Sequence, residues 1–147
     1  DFCIGVGGYP EKHSESPNLE SDLHFLKKKV AAGADYIVTQ MFFNNQKYFD
    51  FVKNCRAKGI DVPIIPGLKP ITTRNQMVSL PQTFHVDLPE VLVKEMLKCK
   101  NNNEIKQVGI EWAIFQSKEL LKFGVPGVHF YTMGKSDNIR EIAKNIL

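Results

Sequence analysis

The sequence predicts an α/β protein built on a parallel sheet, and a repeated pattern is the main reason. An amphipathic segment that ends in glycine is followed by a short apolar run and then by a loop rich in glycine or proline. The pattern occurs at residues 31–40, 57–65 and 122–131. Glycine supplies the left-handed conformation that ends many helices, and short β-branched runs after such glycines are typical of buried parallel strands. A fourth apolar run at residues 2–6 completes an alternation of strands with helices.

The spacing of apolar residues places a helix after each of the first two strands. The first helix has one apolar face, formed by Leu19, Leu23, Leu26 and Val30. Asn18 or Ser21 would cap its first turn, because short polar side chains accept hydrogen bonds from the free amides there. The second helix has an apolar stripe, formed by Tyr48, Phe49, Val52 and Cys55.

The second half of the chain is predicted to contain a long helix and a short final one. The long helix covers residues 103–122 and has five inward side chains: Ile105, Val108, Trp112, Phe115 and Leu120. Ser136 would cap the final helix, whose apolar face is formed by Ile139, Ile142, Ala143 and Ile146. Between the third strand and the long helix, residues 72–100 form an elaborated loop with helical turns, which we expect Pro81 and Pro89 to break.

Length and composition exclude several classes of protein. With 147 residues, of which 43% are hydrophobic and 24% charged, the chain is globular rather than disordered. Its net charge of +3 is spread along the chain without a basic stripe, so we expect no nucleic-acid partner. No apolar run approaches the ~20 residues of a membrane span, so we expect no membrane association. Three widely spaced cysteines predict neither a disulfide framework nor a metal site, and they favour a reducing, cytoplasmic location.

The number of strand–helix units leaves two architectures open. Four units are too few for a closed eight-stranded barrel, which needs roughly 200 residues or more. The sheet is therefore either open or half of a barrel. The chain starts without Met and inside an apolar run, and its first residues lack the basic start of a signal peptide. We expect it to be a piece of a longer protein.

Polar side chains follow the carboxyl ends of the predicted strands, which is the edge where α/β folds bind ligands. Residues 7–13 place Tyr, Glu, Lys and His after the first strand, and Gln40 ends the second. Lys69 follows the third strand, and Tyr131 ends the fourth on the same side as His129. Plain structural roles stay open for all of them: a turn for residues 7–13, a strand cap for Gln40, an exposed Lys69 and a core His129.

The glycines of the first loop do not make a convincing dinucleotide site. Residues 5–10 contain part of the glycine fingerprint, but its third glycine is absent and Pro10 stands where a helix should open. No nucleophile motif or phosphate-binding loop stands out elsewhere. Aromatic rings and amides with few acids suit a flat heterocycle better than hydrolysis.

Taken together, six segments resemble the methylenetetrahydrofolate reductase family. They are residues 8–13 (GYPEKH), 18–23 (NLESDL), 27–35 (KKKVAAGAD), 39–43 (TQMFF), 63–67 (PIIPG) and 129–132 (HFYT). The resemblance implies a flavin-dependent (βα)₈ barrel, of which residues 1–147 would be a single partial domain, the C-terminal half with strands five to eight. It also implies that NADH or NADPH reduces FAD. The reduced flavin then passes a hydride to 5,10-methylenetetrahydrofolate and forms 5-methyltetrahydrofolate, a step of one-carbon metabolism and methionine biosynthesis.

The same resemblance implies roles for individual residues on the cofactor side of the site. Tyr9 and His13 match the positions that contact the flavin. Asp22 and Lys29 match positions that reach the ribose and phosphates of FAD. Gln40 matches the glutamine that contacts the folate pterin and the nicotinamide in turn, and it is the predicted catalytic residue.

On the substrate side, the resemblance implies three further residues. Tyr131 matches a tyrosine near the folate. Leu80 stands where some bacterial members place a Phe that stacks on the substrate, and a Leu offers apolar contact without a ring. Lys135 stands where Arg is commoner, so it keeps the charge but loses the bidentate fork.

The resemblance also identifies what this chain lacks. The family's acidic residue for folate protonation, its flavin-side Asp and several of its FAD contacts come from the first half of the barrel. The alternative is therefore a non-catalytic half barrel that self-associates and binds no flavin. A more distant alternative is a phosphate site formed by Lys69, Lys135 and Ser136. The expected partners are a folate substrate and either further copies of the chain or a missing N-terminal half.

Overall fold

The computed structural model describes residues 2–134 and 136–147, and it shows a mixed α/β fold with parallel strands and six helices. Strands β1 (Gly5–Gly8), β2 (Tyr36–Thr39) and β3 (Ile64–Ile65) form one parallel sheet in that order. Strands β4 (Gly67–Leu68) and β5 (His129–Phe130) form a second parallel pair. The helices are α1 (Leu19–Ala31), α2 (Asn45–Ala57), α3 (Gln76–Phe84), α4 (Glu90–Lys98), α5 (Asn102–Phe123) and α6 (Asp137–Ile146). The predicted α/β class with parallel strands is confirmed.

A proline divides the third predicted strand into β3 and β4. Pro66 lies between them and has no N–H to donate to a neighbouring strand. The two pieces still connect the sheets, because the Gly67 N–H donates to the Thr39 hydroxyl at 2.9 Å and the Pro66 carbonyl accepts from the His129 N–H at 2.9 Å. The four predicted strands therefore lie side by side, with β2 next to β3 and β5 next to β4.

The helices follow the predicted apolar spacing, with differences at their ends. Asn18 caps α1 by accepting the Ser21 N–H at 2.8 Å, so Asn18 rather than Ser21 is the cap. Pro89 precedes α4, as predicted, but Pro81 lies inside α3 and does not break it. Ser136 stands at the cap position of α6 without a capping hydrogen bond from its side chain.

One predicted inward residue of α5 points outward. Phe115 is 58% exposed, and its ring lies beside the Trp112 ring with centroids 5.8 Å apart. The buried stripe of α5 instead follows helical spacing through Ala113, Gln116 and Leu120. Two buried polar residues, Gln116 and Ser117, belong to this inward face, and apolar spacing could not assign them.

The helices cover one face of the strands and form the core there. The largest cluster of buried side chains includes Ile37, Ile64 and Leu68 from the strands, and Phe42 and Phe51 beside them. The opposite face is open: Tyr36, Val38 and Ile65 are half-buried, and His129 is exposed. Among the described residues, no helix is both long and apolar enough to cross a membrane.

Candidate functional site

The carboxyl ends of the strands converge, and hydrogen bonds fix their spacing. The Gln40 N–H donates to the Gly8 carbonyl at 2.8 Å, which joins the ends of β1 and β2. The Tyr131 hydroxyl donates to the Thr39 carbonyl at 2.8 Å and joins the end of β5 to the end of β2. These two bonds bring the segments that carry Tyr9, Gln40 and Tyr131 to one edge, as the sequence predicts for strand ends.

Tyr131 is held as a neutral donor at this edge. Burial, and secondarily the nearby Tyr9 hydroxyl, raise the pKa of Tyr131 above its ordinary value. Its ring meets the His129 ring edge-on with centroids 4.7 Å apart, so the two side chains share one face as predicted. His129 itself is exposed, so the alternative of a core histidine does not apply.

The loop after β1, residues 9–18, is organised by its own side chains, and we call it the Tyr9 loop. The Tyr9 and His13 rings meet edge-on with centroids 4.5 Å apart. Asp22, in the first turn of α1, accepts the His13 N–H and the Ser16 hydroxyl, both at 3.1 Å. Lys12 adopts a left-handed backbone and donates its ammonium to the His13 carbonyl at 2.9 Å. Both Asp22 oxygens therefore shape the loop.

Lys29 reaches the free edge of β1 from α1. Its ammonium lies 3.5 Å from the Gly7 carbonyl, and its side chain is exposed. Asp22 and Lys29 are seven positions apart on α1, about two helical turns, so they share one side of the helix. The structure thus brings the four predicted cofactor residues to β1, its loop and one side of α1.

Gln40 lies half-buried in a small cleft behind the Tyr9 loop. The carboxamide oxygen of Gln40 accepts the Met41 N–H at 3.0 Å, which orients the amide group at the end of β2. The cleft is lined by Tyr9 and Gln40 together with Phe84, His85 and Val86. Gln40 therefore accepts a hydrogen bond at the end of its strand and shares this cleft with Tyr9.

A second, polar cleft of about 150 Å³ lies beyond the ends of β4 and β5, where it is lined by the segments that follow these strands. Lys69 lines it, with its ammonium 3.5 Å from the Tyr131 carbonyl, and burial lowers the pKa of Lys69. Gln76, in the first turn of α3, accepts the Thr72 N–H at 2.7 Å and the Thr72 hydroxyl at 3.2 Å. Sequence reasoning does not assign Gln76 to the site, because the pattern predicts residues 72–100 as an elaborated loop with helical turns and defines no helix start there. The signal that marks it is a polar pair four positions apart just after a strand.

The other predicted substrate residues are placed differently. Leu80 is 5% exposed and packs in a second core cluster with Met41 and Phe43. Its side chain is therefore part of the core next to the end of β2, and its predicted contact with the folate stays a prediction. Lys135 lies outside the described residues. Its predicted role stays a prediction, as do the roles of the other site residues.

The fold and the placement of these side chains define a class of protein. Parallel strands with aromatic, amide and basic groups at their carboxyl ends are typical of barrel-type α/β domains that bind ligands at that edge. A solved structure agrees with this architecture at a TM-score of 0.67 over 99% of this chain and 52% of that chain, with 20% sequence identity. That structure is an uncharacterized protein from Clostridium thermocellum that binds two copies of 5-methyl-5,6,7,8-tetrahydrofolic acid.

Sequence similarity identifies the family within that class. Residues 1–147 match the family "Methylenetetrahydrofolate reductase", and the chain belongs to it. It is 35% identical over 147 residues to the "Probable methylenetetrahydrofolate reductase (NADPH)" of Caenorhabditis elegans, covering 99% of this chain and 22% of that protein. It is 39% identical over 143 residues to the "5,10-methylenetetrahydrofolate reductase" of Buchnera aphidicola, covering 97% of this chain and 49% of that protein. The chain thus spans half or less of these relatives' length, and the predicted family is confirmed.

Proposed function

We propose that this chain forms the C-terminal half of the catalytic barrel of a methylenetetrahydrofolate reductase. The whole protein would reduce 5,10-methylenetetrahydrofolate to 5-methyltetrahydrofolate with NADH or NADPH through FAD. Family membership and the coverage of about half of a bacterial relative support this proposal. The observation that carries it is the convergence of Tyr9, Gln40 and Tyr131 at one edge through the hydrogen bonds at Gly8 and Thr39.

The residues at β1 and α1 have the chemistry that FAD requires. Tyr9 and His13 offer ring surfaces, and Lys29 offers a cation for a diphosphate. Asp22 would act by holding the Tyr9 loop, since both of its carboxylate oxygens already accept hydrogen bonds from that loop. When bound, the flavin would supply the two-electron chemistry, which protein side chains cannot provide.

Gln40 and the polar cleft would hold the folate. A carboxamide donates and accepts at once, and Gln40 presents one at the strand end with its orientation fixed by Met41. Tyr131, Gln76 and Lys69 line the adjacent polar cleft, where an ammonium suits the carboxylates of a folate tail. The Clostridium protein of similar fold binds a methylated folate, which supports this assignment.

The first test is the visible absorption spectrum of the purified chain, recorded after mixing with FAD and desalting. We expect a retained flavin band, and Tyr9→Ala should lose it. Calorimetric titration with 5-methyltetrahydrofolate should show binding that Gln40→Ala weakens by about tenfold, the cost of one or two hydrogen bonds. Gln46→Ala is the matched control, because Gln46 is exposed on α2 and bonds only to Asp50 and to the cap of its own helix. A folded chain that binds neither ligand would contradict binding by this half alone and would favour the second candidate below.

The second candidate function is self-association without flavin. It is favoured by the uncovered face of the strands and by the exposure of Phe2 (95%) and Ile4 (52%) beside β1. An open strand edge invites pairing with another chain. Sedimentation of a colourless, folded dimer would favour this candidate. A yellow monomer would contradict it.

A further inference from the structure

Glu11 links two segments that are far apart in the chain. It lies in the Tyr9 loop, and its Oε2 accepts the Asp87 N–H at 2.9 Å across 76 positions. Asp87 belongs to residues 85–89, between α3 and α4, which we call the α3–α4 loop. The Asp87 carboxylate lies 3.6 Å from the Lys47 ammonium in the first turn of α2. Glu11 therefore joins the Tyr9 loop to a segment that α2 also holds.

The second Glu11 oxygen is buried and has no hydrogen-bond partner. Among the described residues, Glu11 Oε1 is the buried side-chain polar atom left in this state. Leaving such an atom unpaired is costly, so the native fold keeps it only where another contact requires the side chain to be there. The bond to the Asp87 amide is that contact. Glu15, four positions along the same loop, is exposed instead.

The two linked segments differ in how well they are packed. In the α3–α4 loop, Val86 is 4% exposed and belongs to the second core cluster. In the Tyr9 loop, Tyr9, Glu11 and His13 are only half-buried. The Glu11 bond thus attaches the less packed loop to the better packed one. The cleft between Tyr9, Gln40 and Val86 lies beside this attachment.

We propose that Glu11 is a positioning residue, which holds Tyr9 at the rim of the Gln40 cleft by binding the backbone of the α3–α4 loop. It touches no ligand in this role, and the inference rests on the proposed flavin site at Tyr9 and His13. Removing the Glu11 carboxylate releases the Tyr9 loop from the α3–α4 loop. The Tyr9 ring must then be ordered when the flavin binds, which costs free energy. Flavin affinity then falls, while the fold and the polar cleft near Gln76 stay intact.

The experiment combines two readouts on the 147-residue chain. Amide hydrogen exchange of Asp87 measures the link itself and needs no ligand. We expect Glu11→Ala to speed this exchange by about tenfold and to weaken FAD binding by about tenfold, as expected for one lost hydrogen bond to a carboxylate. Glu11→Gln should restore both, because its carboxamide oxygen accepts the same N–H. Glu15→Ala removes a charge from the same loop and should change neither.

The outcomes separate this inference from the proposed function. An Asp87 amide that is unprotected in the wild-type chain, or equally protected in Glu11→Ala, would overturn the link. Faster exchange with unchanged FAD affinity would overturn the positioning role. An equal loss of affinity in Glu11→Gln and Glu15→Ala would also overturn it, by showing a general charge effect. Failure of the wild-type chain to bind FAD while Asp87 responds to Glu11→Ala would instead contradict a flavin site formed by this half of the barrel alone.

Discussion

The two faces of the strands are packed very differently. On the helix side, Ile37, Ile64 and Leu68 are at most 2% exposed. On the other side, Val38 and Ile65 are half-buried and His129 is exposed. The difference shows that the stability of the fold depends mainly on the helix-side face. The other face is left uncovered, and the residues at the strand ends lie beside it. Changes on the two faces should therefore separate stability from binding.

The largest effect is expected from two neighbouring isoleucines of β3. Ile64 is 2% exposed within the helix-side core, whereas Ile65 points to the open face. Ile64→Ala should lower the free energy of unfolding by about 2–5 kcal/mol, because it leaves a cavity in a packed core. Ile65→Ala is the matched control and should cost about 1 kcal/mol, since fewer atoms pack around it. Chemical denaturation measures both, and equal losses would show that the open face is packed as tightly as the covered one.

A smaller effect is expected where α5 meets the segment after β4. A Cβ placed on Gly109 would collide with the Ile71 carbonyl, which is backbone and cannot turn aside. Gly109→Ala should therefore destabilise the chain by about 1–3 kcal/mol, although alanine is the better helix former. Gly127→Ala is the control, because nothing lies within 4 Å of its added Cβ. Thermal unfolding compares the two variants. An unchanged stability of Gly109→Ala would mean that α5 can shift away from the Ile71 backbone without cost.

The smallest effect is the pH dependence of stability that Glu11 contributes. Burial, opposed in part by the Asp87 amide, raises the pKa of Glu11 above its ordinary value of 4.5. The folded chain then binds this proton more tightly than the unfolded chain, so stability is lost as pH rises from below 4.5 through the folded pKa. Glu11→Gln keeps the hydrogen bond without this loss.

Denaturation at several pH values measures that difference. The variant should gain stability over the wild type on going from acid to neutral pH, whereas Glu15→Gln should track the wild type. A constant difference across this range would contradict the titration of Glu11. The charges facing Glu11 from the neighbouring segments are those of Lys47 and Asp87, and both act on its pKa.

Local patterns predicted most of the fold, because they report local physics. Apolar spacing located α1, α2 and α5, and the glycine-ended units located the strands. The same patterns misplaced Phe115, because α4, α6 and α2 all pack against α5, and these tertiary contacts decide which of its side chains are buried. Pro81 was wrongly expected to break a helix, because a single proline does not reveal whether packing compensates for the lost N–H.

For the candidate site, sequence reasoning located the carboxyl edge of the strands but not the hydrogen bonds that join the segments there. Strand ends meet at one edge in any parallel sheet, so the segments of Tyr9, Gln40 and Tyr131 were placed correctly. Gln76 could not be assigned, because the sequence predicts helical turns within a loop there and does not locate the start of α3. The Glu11 bond joins residues 76 positions apart, and no local pattern encodes such a partner.

The split at Pro66 also has a consequence for the order of folding. The strands before the split close short loops, as the Ile4–Asp35 hydrogen bond shows with a separation of 31 positions. The strands after it close longer ones, as Lys69 and Tyr131 show with a separation of 62 positions. Longer loops lose more chain entropy on closure and slow the pairing that depends on them. The edge that carries Tyr131 should therefore assemble last, onto a framework that β1, β2 and their helices have already formed.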